Sequence, residues 1–352
     1  MNSSDTCDLF IFAGEPSADL HGENLMKALL EASPHLRIVG VGGPRMRALN
    51  MECLMPMEAF QVMGFVDVFL ALPRLIRQFY EVRKAILTLN PRVVLFIDYP
   101  GFNLRMAKSL RKKKFGGQLC HYICPSVWAW GKKRVEIMAQ TLTHLFTILP
   151  FEADYFSKTS LNVHYVGHPL VSRIQHHLYQ TLLVPNTKRI LSIFPGSRTK
   201  ELKRNFPVHL KAAKRLLLEH RDLLLAVSVA RAEHLPLLQQ MLLAEGLKVG
   251  QDLIFVDVDQ TYELMKSSTL AVAKSGTVTL ELGLHQVPTV VTYGLSLLDL
   301  WVLRDVLRVR LPYYCLVNII CGKQVFPELI GPNLTEERLY RALSHFLLDP
   351  SA

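Results

Sequence analysis

The chain has 352 residues, which suits two domains that each bury a core better than one domain of ordinary size. Half of the residues are hydrophobic, but no apolar run approaches the roughly 18 residues that a membrane-spanning helix needs. The formal net charge of +10 predicts anionic partners. Because the basic residues are not interleaved with exposed aromatic side chains, we predict no nucleic-acid partner and favour a membrane surface.

Cysteine spacing and the N-terminal residues indicate the cellular compartment. The six cysteines are scattered and have no partners at the spacing of a zinc site, which predicts free thiols. The first apolar run is short, follows no basic segment and ends at Gly14, as expected of a first strand and not of a signal peptide. We therefore predict a cytoplasmic protein with no metal and no cofactor.

Strand-like apolar runs alternate with helix-like segments, which predicts parallel sheets with crossover helices. In the first half the predicted strands are Leu9–Ala13, Arg37–Val41, Val93–Ile97, Gln118–Ile123 and Leu145–Leu149. In the second half they are Arg189–Phe194, Leu223–Val229, Leu253–Val256, Leu270–Ala273 and Thr289–Thr292. The predicted fold class is α/β, with two Rossmann-like domains at residues 1–170 and 171–352 that face a central cleft.

The segment Met57–Phe79 departs from this alternation, because Glu58 and Asp67 are its only charges before Pro73. One explanation is a buried pair of helices. The other is an apolar patch that contacts lipid or acyl chains. For the second explanation the candidate membrane contacts are Met63, Val66, Phe69 and Leu70.

Two glycine-containing loops in the second half predict a site for a nucleoside diphosphate. Each follows a predicted strand and leads into a predicted helix, whose free N–H groups suit phosphate oxygens. The candidate ligands of the diphosphate are Ser197, Arg198, Ser275, Gly276 and Thr277. Glu281 lies one helical turn beyond Thr277 and can accept hydrogen bonds from both hydroxyls of a ribose. The alternatives are a simple helix cap at Ser275–Thr277 and a surface ion pair between Arg198 and Glu201.

Carboxyl groups in the first half predict acid–base chemistry. Asp98 ends a predicted buried strand, at the edge where parallel sheets bind ligands, and could take the proton of an attacking hydroxyl. Glu15, in the loop after the first strand, is an alternative base. Ser17 and Asp19 could bind the acceptor or cap a helix, and Asp98 itself could be a cap. Ser126 lies on a loop that a substrate could reach.

Several motifs in matching order resemble those of the lipid-A-disaccharide synthase family, which are inverting glycosyltransferases with two Rossmann-like domains, the GT-B type. The resemblance extends from Ile11 to about Ile330. The motifs include Gly14–Asp19, Ile97–Asn103, Pro125–Trp130, Gly167–Pro169, Pro195–Arg198 and Ser275–Thr277. The most specific of them are Gly14–Asp19 and the Trp-Ala-Trp sequence that ends at Trp130.

The resemblance implies a reaction and its partners. The family transfers 2,3-diacylglucosamine from UDP to the 6-hydroxyl of 2,3-diacylglucosamine 1-phosphate, and so forms the β-1′,6-linked lipid A disaccharide phosphate and UDP. Asp98 would then be the base, and Asn318 and Gln324 would help to close the nucleotide site. The resemblance also implies a peripheral protein on the inner face of the cytoplasmic membrane, and it leaves a homodimer open.

Two departures from the family and two other functions stay open. The family commonly has an acidic residue near Ser172 or Arg173, and it usually continues past residue 352 into a further helix. Another UDP-sugar enzyme of the same fold, either a transferase or an epimerase, is the first alternative function. A non-catalytic protein that binds lipid or nucleotide is the second.

Overall fold

The computed structural model describes residues 7–60, 65–129, 133–182, 188–296, 299, 301 and 311–348, and gives the backbone alone for residues 65–71. The chain divides into two compact units, Met1–Pro169 (unit 1) and Leu170–Ala352 (unit 2). The sequence placed this boundary after residue 170. Each unit is built on a parallel sheet of its own.

Unit 1 contains a seven-stranded sheet with the order β3-β2-β1-β4-β5-β6-β7, in which all neighbouring strands are parallel. The strands are β1 (Leu9–Ala13), β2 (Ile38–Gly42), β3 (Glu52–Pro56), β4 (Val93–Ile97), β5 (Gln118–Tyr122), β6 (His144–Thr147) and β7 (Asn162–Tyr165). The helices are α1 (Pro16–Ala32), α2 (Pro44–Arg47), α3 (Phe65–Leu89), α4 (Pro100–Lys112) and α5 (Lys133–Thr141).

Helices cover both faces of this sheet, which is why its central strands are continuous apolar runs. One face contributes Phe12 and Phe96 to a core shared with α3, α4 and α5. The opposite face contributes Ile11 to a core shared with Met26 of α1 and Met46 of α2. Every residue of β1 is buried as a result.

Unit 2 contains a six-stranded parallel sheet with the order β10-β9-β8-β11-β12-β13. The strands are β8 (Arg189–Phe194), β9 (Leu223–Val229), β10 (Leu253–Asp257), β11 (Leu270–Lys274), β12 (Thr289–Tyr293) and β13 (Glu328–Ile330). The helices are α6 (Pro169–Gln175), α7 (Thr199–Glu219), α8 (Leu235–Ala244), α9 (Thr261–Ser267), α10 (Thr277–Leu284), α11 (Leu316–Cys321) and α12 (Glu336–Leu348).

In each unit the first strand along the chain lies inside the sheet, and later strands lie on both sides of it. Strand β1 pairs with β2 on one side and β4 on the other, so Ile11 lies opposite both Gly40 and Leu95. Strand β8 pairs in the same way with β9 and β11. The chain therefore leaves the carboxyl ends of β1 and β4, and of β8 and β11, toward opposite faces, and this opens a crevice where ligands bind in such sheets.

The α/β fold class is confirmed, and every strand that the sequence predicts is present with its ends shifted by at most two residues. Three further strands, β3, β7 and β13, were not predicted. All three lie at sheet edges, where one side of the strand has no neighbour. These three strands are only partly buried and have short apolar runs, whereas the remaining edge strand, β10, has the run Leu253–Val256 and was predicted.

The apolar segment Met57–Phe79 does not form a pair of helices in the part that the structure describes. It consists of a 3₁₀ turn at Met57–Phe60 and, from Phe65, the first turns of the single helix α3. Met63 and the side chains of Val66, Phe69 and Leu70 fall outside the described residues, so their proposed membrane contacts stay predictions. Among the described helices none is long and apolar enough to cross a membrane.

Asp19 fastens α1 to the start of α2. Its side chain is buried, and Oδ1 accepts hydrogen bonds from the N–H groups of Gly43 at 2.8 Å and Met46 at 3.2 Å. Oδ2 accepts a third from the N–H of Arg45 at 3.1 Å. A Cβ atom on Gly43 would lie 2.4 Å from Oδ2, so only glycine fits there. This geometry favours the capping alternative for Asp19 over contact with a substrate.

We expect Asp19→Ala to lower the free energy of unfolding of unit 1 by about 3 kcal/mol, because it leaves two buried and one partly buried N–H group without their charged acceptor. Native-state hydrogen exchange of the β1 amides, followed by mass spectrometry, measures this loss for unit 1 alone. Asp154→Ala is the control, since Asp154 is exposed. Equal protection of β1 in both variants would contradict the role of Asp19.

Candidate active site

In the turn after β4 the backbone of Asp98 has a conformation that residues other than glycine rarely adopt. Asp98 has φ 48° and Tyr99 has φ 46°, both in the left-handed region. The buried amide of Asn103 holds this turn, because its Nδ2 donates to the carbonyl oxygen of Asp98 at 2.6 Å. Two non-glycine residues in this region are costly and are typical of functional sites.

Glu15 lies beside Asp98, because the loop after β1 and the turn after β4 leave neighbouring strands. Burial, together with a hydrogen bond and charge repulsion from Glu15, raises the pKa of Asp98 to about 7. The hydroxyl of Ser17 donates to Oε1 of Glu15 at 3.1 Å. The two carboxyl groups are thus a coupled pair, in which one group holds a proton more readily than an isolated aspartate would.

An apolar groove of about 570 Å³ adjoins this carboxyl pair within unit 1. Its walls are α3 and the start of α4, and Glu15 and Tyr99 lie among its lining residues. Leu72 and Ile76 of α3 are 47% and 48% exposed. Such a large exposed apolar surface beside ionisable groups suits a ligand with both a polar head and a hydrocarbon part.

The other predicted residues of unit 1 occupy separate places. Ser126 is exposed on the loop after β5, the strand next to β4. Among the basic residues of α4, Arg111 donates hydrogen bonds to the carbonyl oxygens of Thr141, Phe115 and Gly117. It is therefore not free to contact an anionic surface.

In unit 2 a pocket of about 390 Å³ lies at the carboxyl ends of β8 and β11. The predicted residues Ser197, Arg198, Gly276, Thr277 and Glu281 all line it. The N-termini of α7 and α10 adjoin the pocket, so their free N–H groups and helix dipoles favour an anion there. The structure thus brings together the two loops that the sequence singled out.

Glu201, in the first turn of α7, connects the two sides of this pocket. Its Oε2 accepts from the N–H of Ser197 at 3.2 Å, and its Oε1 lies 3.0 Å from Nζ of Lys274 at the end of β11. Gly196 has φ 120°, and a Cβ there would lie 2.8 Å from Glu201 Oε2, so the loop needs glycine. Arg198 is 80% exposed and lies 3.8 Å from Glu201, which leaves it available to a ligand.

Glu281 is held by two donors that are distant in sequence. The hydroxyl of Tyr262 donates to Oε1 of Glu281 at 3.1 Å, and the guanidinium of Arg173 donates to the same atom at 3.3 Å. Nε of Arg173 also donates to the Tyr262 hydroxyl at 2.7 Å. The three side chains form a closed triangle.

Three predicted residues of unit 2 do not line this pocket. The hydroxyl of Ser275 donates to the carbonyl oxygen of Tyr314, and its N–H pairs with Thr292 in the sheet. The buried amide of Asn318 makes four hydrogen bonds, to backbone groups of Val325 and Phe326 and to Glu328. Gln324 is exposed. Ser275 and Asn318 therefore organise the loops around them, and their contact with a ligand stays a prediction.

Sequence reasoning missed Lys274, Tyr262 and Arg173 as parts of this site. Lys274 had a usable signal, because it directly precedes the Ser-Gly-Thr loop. Tyr262 had no such signal, and the departure from the family near Arg173 did not indicate its contact with Glu281, since only the fold brings α6 and α9 to α10. All six cysteines are free, and the described residues contain no group of three or more His, Cys, Asp or Glu side chains that could hold a metal ion.

Two doubly wound parallel sheets, one with a carboxyl pair and one with a pocket where the strand order reverses, place the chain among the α/β proteins with two Rossmann-like units. The sequence profile of the lipid-A-disaccharide synthetase family matches residues 9–351. The chain belongs to this family, which confirms the resemblance that its motifs indicate.

Individual relatives agree with this assignment. The chain is 38% identical over 326 residues to a lipid-A-disaccharide synthase of Chlamydia pneumoniae, an alignment that covers 92% of this chain and 53% of the relative. It therefore spans about half the length of that protein. It is 36% identical over 352 residues to a lipid-A-disaccharide synthase of Anaeromyxobacter sp. (strain K), with 99% of this chain and 90% of the relative covered.

A solved structure supports the fold. The UDP-GlcNAc 2-epimerase of Neisseria meningitidis, bound to UDP-GlcNAc, superimposes with a TM-score of 0.61 at 8% sequence identity. The match covers 97% of this chain and 91% of that chain. At this identity the likeness establishes the α/β fold and nothing about activity.

The raised pKa of Asp98 predicts a pH-dependent stability. Between about pH 4 and pH 7 the folded protein keeps a proton that the unfolded chain has lost, so the free energy of unfolding falls as pH rises. Asp98→Asn removes this effect, and we expect its free energy of unfolding to exceed that of wild type by about 4 kcal/mol at about pH 8 and to match it near pH 4. Urea unfolding of both proteins across this range measures the difference.

Asp154→Asn is the control for this experiment, because Asp154 is exposed, and we expect its stability to follow wild type at every pH. A difference between Asp98→Asn and wild type that stays constant from pH 4 to pH 8 would contradict the raised pKa.

Proposed function

We propose that this chain transfers 2,3-diacylglucosamine from UDP to the 6-hydroxyl of 2,3-diacylglucosamine 1-phosphate, which yields the β-1′,6-linked disaccharide phosphate and UDP. One observation carries the proposal. A member of the lipid-A-disaccharide synthetase family holds a half-buried carboxyl pair in unit 1 and an anion pocket at the switch point of unit 2. Unit 1 then binds the acceptor, and unit 2 binds the UDP-sugar.

The carboxyl pair supplies the base. Asp98 takes the proton of the acceptor 6-hydroxyl as this oxygen attacks the anomeric carbon, and the bond from that carbon to the diphosphate oxygen breaks with inversion. A carboxylate with a pKa near 7 is a stronger base than an ordinary aspartate and is still largely ionised just above neutral pH. Glu15 sustains this pKa by repulsion, and Ser17 orients Glu15 through its hydrogen bond.

The pocket of unit 2 stabilises the leaving group. Negative charge grows on the diphosphate as the glycosidic bond breaks, and the helix N-termini of α7 and α10 favour that charge. Arg198 and Lys274 add two cations at the pocket. Glu281, one turn into α10, accepts from the hydroxyls of the uridine ribose.

The acyl chains of the proposed substrates would occupy the apolar groove of unit 1. An acyl chain in the groove would leave the sugar head beside Glu15 and Asp98. The exposed side chains of Leu72 and Ile76 would contact the hydrocarbon of the same lipid or of its membrane. We therefore propose that the protein is peripheral on the inner face of the cytoplasmic membrane, where both substrates reside; a homodimer stays open.

Turnover by the purified protein tests the reaction. UDP-2,3-diacylglucosamine and labelled 2,3-diacylglucosamine 1-phosphate in mixed micelles should yield labelled disaccharide. We expect Asp98→Asn to lower kcat by on the order of 10²–10⁴-fold, because the base is lost, while calorimetry finds UDP affinity unchanged. Asp154→Asn serves as the matched control and should retain wild-type turnover.

Two results would count against this function. Full turnover by Asp98→Asn would remove Asp98 as the base. Conversion of UDP-N-acetylglucosamine alone, without use of the acylated acceptor, would replace the transferase by the epimerase that shares the fold.

Vesicle binding tests the membrane role of α3. Wild type should sediment with vesicles of anionic phospholipid, and we expect Leu72→Ser with Ile76→Ser to weaken that binding at least about tenfold, because two apolar side chains no longer leave water. The control is Leu218→Ser with Leu243→Ser, which removes two leucines of unit 2 that are 71% and 72% exposed. Equal sedimentation of the two double variants would contradict a membrane contact by α3.

A further inference from the structure

The hydrogen bonds to the side-chain carboxylate of Glu281 all end on one of its two oxygens. Tyr262 at 3.1 Å and Arg173 at 3.3 Å both donate to Oε1. Among the described residues none donates a hydrogen bond to Oε2. The Glu281 side chain is 13% exposed and lines the pocket of unit 2, whereas Tyr262 and Arg173 are not among the lining residues.

We propose that Tyr262 and Arg173 are positioning residues that set the selectivity of this pocket for ribonucleotides. They fix the carboxylate of Glu281 through Oε1 and leave Oε2 as the acceptor for the ribose hydroxyls. This inference rests on the proposed function, since it assigns the pocket to UDP. It adds two residues that do not touch the nucleotide and act through Glu281.

Tyr262 is a fixed donor. Burial first, and the charge of Glu281 second, raise the pKa of Tyr262 to about 12, so its hydroxyl keeps the proton at neutral pH. The phenol ring is 7% exposed and lies between two histidine rings, with centroids 5.0 Å from His177 and 5.3 Å from His285. This packing fixes the position of the hydroxyl oxygen.

Arg173 sets the direction of the hydrogen bonds in this triangle. Its Nε donates to the Tyr262 hydroxyl at 2.7 Å, so that hydroxyl must use its own proton toward Glu281. The guanidinium also lies over the Tyr262 ring, 5.2 Å from the ring centroid. A guanidinium cannot accept a hydrogen bond, so every hydrogen bond in the triangle runs toward the carboxylate. Charge-assisted bonds of this kind are stronger than neutral ones and resist rotation of the acceptor.

A purely structural role makes a different prediction. The triangle ties α6 and α9 to α10, so it could simply stabilise unit 2. In that case, loss of the Tyr262 hydroxyl would weaken all ligands of the pocket equally, or none. Positioning of Glu281 instead affects only those ligands that carry the ribose hydroxyls.

Calorimetry with UDP and 2′,3′-dideoxy-UDP separates the two roles. Wild type should prefer UDP by roughly 10–100-fold, which is the usual value of hydrogen bonds to a charged acceptor. We expect Tyr262→Phe to lower UDP affinity about tenfold and to leave the affinity for dideoxy-UDP unchanged, so that the preference collapses to a few-fold. Tyr179→Phe is the matched control, because its hydroxyl contacts His285 at 2.9 Å and not the Glu281 carboxylate. It should keep the wild-type preference.

Arg173→Gln provides a second, independent variant in case Tyr262→Phe does not fold, since the Arg173 side chain is 45% exposed. It too should lower UDP affinity and spare dideoxy-UDP. Equal losses for both nucleotides, or an unchanged preference in either variant, would overturn the inference and leave the proposed function standing. Equal affinity of wild type for the two nucleotides would also overturn it. If wild type binds no UDP at all, the proposed function fails with it.

Discussion

Parallel pairing that begins in the middle of a sheet is the constraint on which both sites of this protein depend. Strands β1 and β8 each have neighbours on both sides. The chain therefore leaves β1 and β4 toward opposite faces of the sheet in unit 1, and it leaves β8 and β11 toward opposite faces in unit 2. The ends of β1 and β4, and of β8 and β11, are therefore the places in each unit where backbone groups face a crevice. Asp98 and Glu15 lie at one of these places, and Ser197, Gly276 and Thr277 lie at the other.

The two units use this common geometry for opposite charges. In unit 1 the strand ends bring two carboxyl groups together, and the left-handed conformation of Asp98 and Tyr99 adds backbone strain that Asn103 and the packed strands must hold. In unit 2 they bring together helix N-termini and the cations Arg198 and Lys274. The same fold thus holds two carboxyl groups at the strand ends of one unit and cations beside helix N-termini in the other, and the difference lies in the loop residues.

Sequence alone predicted the parts of this protein that depend on local pattern. The central strands are continuous apolar runs because both of their faces are covered, and the loops at Gly196 and Gly276 follow them directly. The edge strands β3, β7 and β13 were not predicted, because these partly buried strands have only short apolar runs. The partners of Glu281 escaped it because Tyr262 and Arg173 reach α10 only through tertiary packing. The four hydrogen bonds of the Asn318 side chain join α11 to the segment 325–328, and its contact with a ligand stays a prediction.

Glu201 brings the charge of the pocket in unit 2 close to balance. Its carboxylate neutralises Lys274 at 3.0 Å and occupies an N–H of the glycine loop, so Arg198 is the one exposed cation among the residues described there. A small inorganic anion that enters gains little, because Lys274 already has a partner and the anion meets Glu201 as a like charge. Arg198 and the N-termini of α7 and α10 are the groups of the pocket that are left to attract negative charge. The acidic residue of the pocket therefore weakens its attraction for a simple anion and makes binding depend more on the other contacts of a ligand.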